Sequence, residues 1–424
     1  MIVREILKKE FQTFSATHIL KNMFQTVEYA ELMSKYEYTP IYIGGFQDDK
    51  LVAASLILTK GIAPGCKYGY APRGYLIDFL NFELLNEFTK KLQHFLKEKN
   101  VIFVKINPEV TYSKVDKVTG EKDINYINAK VVDVLENLGY VKLKNNLYFE
   151  SLLPKYNAVI NLINYDFNKV ESTIKNKVVK NSQSGLGLRT GTIEDIETIY
   201  NFIKDKKDRP IAYYKDYYNI YNNSNMMDLI FLELDNNKYL ISIKNEYEKE
   251  MNLNSELNMN FQKNPKNETA YNKKMNSDKR LNDLNVEIGK ISLKLQRNII
   301  KETIAGALVI KYANRIYMLI SGFDKNYSKL YPNYVMHCQI IEKYKNENFK
   351  FLDLNGITGD FTDDNPYKGL NDFKISLNPK LYEYIGEFDM IVNKTIYQLL
   401  LSSNKLQKEF QRKDLKPTEK TEKE

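Results

Sequence analysis

The sequence predicts a mixed α/β protein made of two strand–helix–strand units, the second interrupted by a projecting helical hairpin. Three observations carry this. Strand-type apolar runs alternate with segments of helical spacing in both halves of the chain. The order strands, helix, strand recurs: the pattern of His94–Pro108 returns in Glu342–Gly356. Two similar subdomains and a chance likeness of two helix–strand units both account for that recurrence. Finally, a charged, Asn-rich stretch with coiled-coil spacing separates strands of the second unit.

In chain order, Leu20–Tyr36 has helical character and precedes two strand-type runs, Ile41–Phe46 and Leu51–Thr59. Gln47-Asp48-Asp49-Lys50 joins them, a hairpin signal. Glu83–Lys99 spaces Leu84, Leu85, Phe88, Leu92, Phe95 and Leu96 along one helical face. It leads into Val101–Ile106, a buried-strand candidate stopped by Asn107-Pro108. This first unit takes residues 1–152. The second takes 153–242 and 301–402, with strand-type runs at Leu229–Leu234, Ile304–Tyr312, Ile316–Ser321 and Phe349–Leu354. In the insert, 243–300, Leu281, Leu284, Ile288, Ile291 and Leu295 keep a strict three-and-four spacing. Ile243, Tyr247, Leu257 and Phe261 fit the same spacing ahead of a break at Asn264-Pro265-Lys266-Asn267. Two antiparallel arms of about 25 residues would reach about 35–40 Å. One apolar seam per arm buries the hairpin against itself and leaves it projecting into solvent. The tail, 403–424, is charged, carries a proline and is expected to be disordered.

A length of 424 residues suits about two to three domains, and 43% apolar residues suffice for packed cores. No run approaches the ~20 apolar residues of a membrane span. Met1–Phe14 lacks the signal-peptide pattern, so a cytoplasmic location is expected. Cys66 and Cys338 are isolated, and His18, His94 and His337 form no i, i+4 pair. Neither a disulfide framework nor a metal site is expected. The net charge of +8 suits a polyanionic partner, and equally a composition rich in Lys, Asn, Tyr and Ile.

Several short motifs follow one another around the hairpin. They are Asn22-Met-Phe-Gln-Thr26, Tyr70-Ala-Pro-Arg-Gly74 with Asp78, Lys105-Ile-Asn-Pro-Glu109, Tyr213-Tyr214 and Ser321-Gly322. Then come Asn355-Gly-Ile-Thr-Gly-Asp-Phe361, Phe373-Lys374 and Glu383-Tyr-Ile-Gly-Glu387, with Asn272-Lys273-Lys274 in the arm. In this order, over about Phe11 to Leu400, the sequence resembles the FemABX family. The resemblance implies two GNAT-like acyltransferase subdomains and an inserted antiparallel coiled-coil hairpin similar to the arm of seryl-tRNA synthetase. It implies a tRNA-dependent aminoacyltransferase that moves an amino acid of the Gly, Ala or Ser class onto the peptide of a peptidoglycan precursor. Lipid II is the expected acceptor in preference to UDP-MurNAc-pentapeptide, which would bring the protein to the inner membrane face. Exchanging an ester for an amide is downhill, and no cofactor is implied.

The same resemblance makes Lys374 the catalytic candidate, stabilising the oxyanion or the leaving group. Arg73, Lys175 and Lys177 are candidates for precursor phosphates. Tyr213 and Tyr214 would line the cleft, and Gly356 and Asp360 belong to a strand-terminal ligand loop. Lys273, Lys274, Lys279 and Arg280 of the arm would touch the tRNA backbone. From the residues alone, Arg73-Gly74 reads as an exposed cationic fork beside a glycine that admits a ligand, or as a turn whose arginine pairs with an acid. From composition alone Lys374 reads better as a surface lysine, an order that the resemblance reverses, and the arm cations read at least as well as an ordinary solvated face. Three departures from the family pattern leave the holding of the diphosphate open: Met33 and Asn107 replace a Lys and an Asp, and Lys175 and Lys177 stand where Arg is common. Two other readings are a non-catalytic tRNA-binding adaptor and an acetyl-CoA-dependent acetyltransferase. Against the latter, Ser184-Gly185-Leu186-Gly187 is too bare for a pyrophosphate loop.

Overall fold

The structure, a computed structural model, describes residues 1–143, 147–204 and 209–410. Its strands form two sheets. The first holds, in spatial order, β1 (Ile2–Glu5), β2 (Thr39–Gln47), β3 (Lys50–Ala63), β4 (Cys66–Ala71), β5 (Val101–Ile106), β16 (Phe388–Ile391) and β8 (Tyr140–Lys142). The second begins with β10 (Leu186–Thr190), β11 (Met227–Asp235), β12 (Lys301–Tyr312), β13 (Arg315–Phe323) and β14 (Phe351–Ile357). It continues through β9 (Tyr156–Asn161), β15 (Lys380–Tyr384), β6 (Thr111–Val115) and β7 (Lys122–Ile124).

Among the described residues, only β4 with β5 and β13 with β14 pair in parallel. Parallel neighbours need a crossover, and a helix supplies it each time: α3 (Phe82–Glu98) and α10 (Pro332–Asn346). The path β2-β3-β4-α3-β5 therefore recurs as β11-β12-β13-α10-β14. The likeness of His94–Pro108 to Glu342–Gly356 falls at the same point of both. It marks a structural repeat and not a coincidence of spacing, and the predicted fold class is the one observed.

Helices cover these sheets as strand alternation dictates. On the first sheet, α3 and α4 (Tyr126–Asn137) pack on one face. The other face takes α1 (Lys8–Thr17), α2 (Val27–Ser34) and α12 (Lys394–Ser402). On the second, α5 (Ser172–Ser182), α10 and α11 (Lys368–Ser376) meet the face of Ile230, Leu232, Leu352 and Leu354. Across β11 and β12, α6 (Ile196–Ile203) and α7 (Ile211–Asn223) meet the opposite face at Leu229, Phe231, Leu308 and Ile310. Fully burying one such side chain contributes about 1.5–3 kcal/mol.

Four expectations need adjustment. The sheets do not part at residue 152: β6 and β7 pair with β15 of the second sheet, while β16 enters the first between β5 and β8. Each unit thereby covers a strand edge of the other, whose open backbone groups would otherwise lack partners. The helix expected over Leu20–Tyr36 begins only at Val27. Asn22 Oδ1 accepts the N–H groups of Phe24 and Gln25, fixing a turn, and Thr26 caps α2 by accepting from Tyr29. The arm comprises α8 (Asn236–Lys263) and α9 (Glu268–Gln296), starting ahead of 243 because Asp235 caps α8. Ile243 and Ile291 are buried in its seam, and midway Asn254 bonds to Ser277 and Asp278 across the hairpin. The tail is ordered at first: α13 (Lys405–Phe410) buries Leu406 and sets the Phe410 ring against Tyr68 and Phe103. The rest of that expectation, from 411 on, lies outside the described residues. Among the described residues, no helix is long and apolar enough to cross a membrane.

Candidate active site

The chemistry-bearing lysine is placed by a chain of short-range constraints. After β14 the backbone enters a loop gripped by two buried asparagines. Asn371 Oδ1 accepts the Thr358 N–H at 3.0 Å, and the Nδ2 groups of Asn371 and Asn365 donate to the Asp360 carbonyl at 3.1 and 2.6 Å. Gly359 lies so close to Tyr156 that a Cβ would stand 2.4 Å from its ring. This fixes the start of α11. At its far end, Lys374 Nζ donates to the Gly356 carbonyl at 2.6 Å. A hydrogen bond from a charged donor contributes about 1.5–3 kcal/mol, comparable with the ~2 kcal/mol of lysine rotamer entropy. The ammonium is therefore held in one place.

Its neighbour Phe373 packs edge-on against Tyr334 and His337 of α10, with centroids 4.9 and 5.0 Å apart. The buried His337 donates Nδ1–H to the Asn333 carbonyl at 2.7 Å. Burial lowers its pKa to about 4, and the nearby Lys374 charge adds to this against the Asn333 bond. The lysine thus sits beside a neutral ring.

The other face of β14 carries Asp353, which is 4% exposed. It accepts from Asn157 Nδ2 at 3.2 Å and from the Asn355 N–H at 2.7 Å, and Arg315 stands 4.0 Å away. Burial raises its pKa and Glu109 adds to this, against the pull of Arg315. Arg315 pairs with Glu109, which also accepts from the Tyr384 hydroxyl. Of this cluster Glu109 and Asp353 line a narrow pocket, together with Arg73, Met23, Phe24 and Tyr317.

Arg73 belongs to this second face. It is 4% exposed, so the expected exposed fork is absent. Its guanidinium donates to the Pro154 carbonyl at 2.8 Å and lies 4.6 Å over the Tyr384 ring, joining the first sheet to the second. Gly74 is approached by the protein itself: a Cβ there would stand 3.0 Å from Gln25 Nε2. Gln25 bonds in turn to Pro72 and Leu56, so the Asn22–Thr26 motif anchors a loop to β3. Pro154 then packs on Gly356, where a Cβ would stand 2.3 Å from its ring. Arg73 and Lys374 thus hold opposite ends of one Pro154–Gly356 contact.

The remaining expected residues spread further. Asp360 organises its loop, accepting from Tyr148 and Thr362, and those bonds lower its pKa. Lys175 and Lys177 lie on α5, which enters beside α11 through the Glu171 N–H to Ser376 carbonyl bond; Lys177 sits 4.5 Å over the Tyr331 ring. Tyr213 and Tyr214 are on the α7 side of the sheet. Tyr214 is buried in the core, while Tyr213 lies between Arg209 and Tyr36. Beside them Lys35 and Tyr36 both reach Asp216. In the arm, Lys274 pairs with Asp278, and Arg280 with Glu246 and Glu250, whereas Lys273 and Lys279 are exposed. The Ser184–Gly187 run enters strand β10 and opens no helix. Sequence reasoning assigned no role to Asp353, Arg315 or Glu109. The available signal was an acid between Leu352 and Leu354, in a strand otherwise reading as buried.

The sequence model of the FemAB family matches residues 6–405. Aminoacyltransferase FemA of Staphylococcus epidermidis is 25% identical over 420 residues, covering 94% of this chain and 98% of that protein. FemA of Staphylococcus aureus is 25% identical over 411 residues, covering 92% and 95%. Among solved structures, FemX superposes with a TM-score of 0.73 at 19% identity, over 94% of this chain and all of that one, and so shares its fold. The chain therefore belongs to the FemAB family, and with that family it is an aminoacyltransferase.

Proposed function

We propose that the protein transfers an amino acid of the Gly, Ala or Ser class from aminoacyl-tRNA to an amine on the peptide of a peptidoglycan precursor, with lipid II as the preferred acceptor. The observation that carries this reading is the fixed Lys374 ammonium beside β14, on the strand–helix frame the FemAB relatives share. In the reaction the amine nitrogen bonds to the ester carbonyl carbon and the bond to the ribose oxygen breaks. A proton leaves the amine, and one returns to the ribose hydroxyl. The oxygen that gains charge between these events needs a nearby donor, and Lys374 supplies it where water is scarce. Binding and orientation do the rest. Arg73 and its cluster shape the acceptor cleft. Lys175 and Lys177, near α11, are the cations for phosphate on that side. Lys273 and Lys279 are the arm's best placed contacts for a tRNA backbone.

The test is transfer of radiolabelled Gly, Ala or Ser from charged tRNA to lipid II and, separately, to UDP-MurNAc-pentapeptide. Label on lipid II is expected, and label on the soluble acceptor alone would reverse the preference. Binding of charged tRNA without label on either acceptor would replace transfer by a non-catalytic tRNA-binding role.

A further inference from the structure

Residues directly opposite one another in paired strands share a face. Glu383 of β15 stands opposite Ser113 of β6 on one side and Tyr156 of β9 on the other. Tyr156 belongs to the core against which Phe373 and Ile375 of α11 pack, so all three residues lie on the Lys374 side of the sheet. Glu383 is 2% exposed. Its carboxylate accepts from Ser113 Oγ at 2.8 Å and from the Tyr156 hydroxyl at 3.0 Å. It also pairs with Lys155 at 2.8 Å and with Lys122 at 3.0 Å. Lys122 donates in turn to the Tyr156 hydroxyl at 3.1 Å.

A buried ion pair often adds less to stability than apolar side chains of the same volume. A fully satisfied polar network does, however, hold its members in one arrangement. Here those members bear on the segment that places Lys374. The Tyr156 ring lies against Gly359, with no room for a Cβ between them. Ser113 and Lys122 fix the hairpin of β6 and β7, whose turn touches both flanks of α11. Ahead of the helix, a Cβ on Gly120 would stand 3.4 Å from the Phe361 ring. Behind it, Lys117 Nζ donates to Asn378 Oδ1 at 2.6 Å.

We propose that Glu383 is a positioning residue for transfer. It holds the Tyr156 ring under Gly359 and the β6–β7 turn against both flanks of α11, and so keeps the Lys374 ammonium where the reacting oxygen needs it. The inference rests on the reading of Lys374 as the oxyanion donor, because Glu383 acts only through that lysine. A hairpin from the first half of the chain thereby sets the geometry of a residue in the second.

The test is single-turnover transfer from charged tRNA, with rate constant and amplitude read separately, for the wild type, Glu383→Gln, Lys374→Ala and the double variant. Glu383→Gln keeps the size of the side chain and removes its charge. Its rate constant should fall about 10-fold or more, since a misplacement of about 1 Å can cost about 100-fold. A purely structural role would lower the amplitude, as less protein is folded, and leave the rate constant. In the Lys374→Ala background, Glu383→Gln should change the rate constant less than about twofold, because the group it positions is gone. Tyr156→Phe removes only the hydroxyl link and serves if Glu383→Gln does not fold. It should slow transfer about threefold or more, and again only where Lys374 is present. An unchanged rate constant, or a loss repeated in full in the Lys374→Ala background, overturns the positioning role and leaves Lys374 as read. Transfer by Lys374→Ala at the wild-type rate would instead overturn the reading of Lys374, and this inference with it.

Discussion

β5 and β14 hold equivalent places in the two units, and each buries one charge at the same point of the repeat. In β5 it is Lys105, 3% exposed; in β14 it is Asp353, 4% exposed. Their surroundings differ. Lys105 bonds to Asp389 at 2.8 Å, has Glu387 at 3.5 Å and lies 4.7 Å under the Phe410 ring. Burial works against its ammonium, but Asp389 and Glu387 more than restore it, so its pKa is raised. Asp353 instead opens on a cleft, has its nearest cation at 4.0 Å and keeps a raised pKa. The first copy uses its charge to lock β16 and the C-terminal helix in place. The second leaves its charge beside a narrow pocket without a close cation, and Lys374 reaches the same strand from behind.

That contrast can be broken. Lys105→Met leaves two buried carboxylates without their cation and should cost about 3–5 kcal/mol in urea unfolding. If stability hardly changes, the first copy is not the structural one. Lys374→Ala should do the reverse: transfer falls about 100- to 1000-fold, the scale of a lost oxyanion donor, with the unfolding midpoint nearly unchanged.

His337 sharpens the second half of the comparison. Its folded pKa of about 4 lies below the unfolded 6.5, so the unfolded chain binds the extra proton between those values. Stability is complete above pH 6.5 and falls as the pH drops toward 4, by about 3 kcal/mol at 1.36 kcal/mol per unit. His337→Gln should remove that acid sensitivity, as read from unfolding curves at pH 7 and 4.5. An unchanged difference between the two would show that His337 is not the group responsible. The smallest effect is expected for Gly359→Ala. Its Cβ must displace the Tyr156 ring, costing about 1–3 kcal/mol, and a transfer rate that falls with it would show that the loop positions Lys374.

Much of this was legible in the sequence, for identifiable reasons. The strand–helix–strand repeat showed because β5 and β14 are short apolar runs closed by Asn-Pro and Asn-Gly. The arm showed because three-and-four spacing has few other causes. From the residues alone Lys374 read as a surface charge, because its partner, the Gly356 carbonyl, lies 18 residues earlier at the end of β14. What stayed hidden was long-range: β6, β7 and β16 cross between sheets, and no local pattern records a partner some 270 residues away, as in Ser113 with Glu383. Neither reading of Arg73, an exposed fork or a turn paired with an acid, named its partners, because Pro154 and Asn157 come from the other sheet. The Glu109–Arg315–Asp353 cluster was invisible likewise, each member coming from a different strand or loop.

The most direct test of the central claim is single-turnover transfer from charged tRNA to a precursor acceptor, comparing the wild type with Lys374→Ala at matched tRNA occupancy. A drop of about 100-fold or more, with charged-tRNA affinity and unfolding unchanged, is the predicted result. Transfer within a fewfold of wild type would contradict the account and leave Lys374 a strand-pinning residue, with the chemistry assigned elsewhere in the cleft.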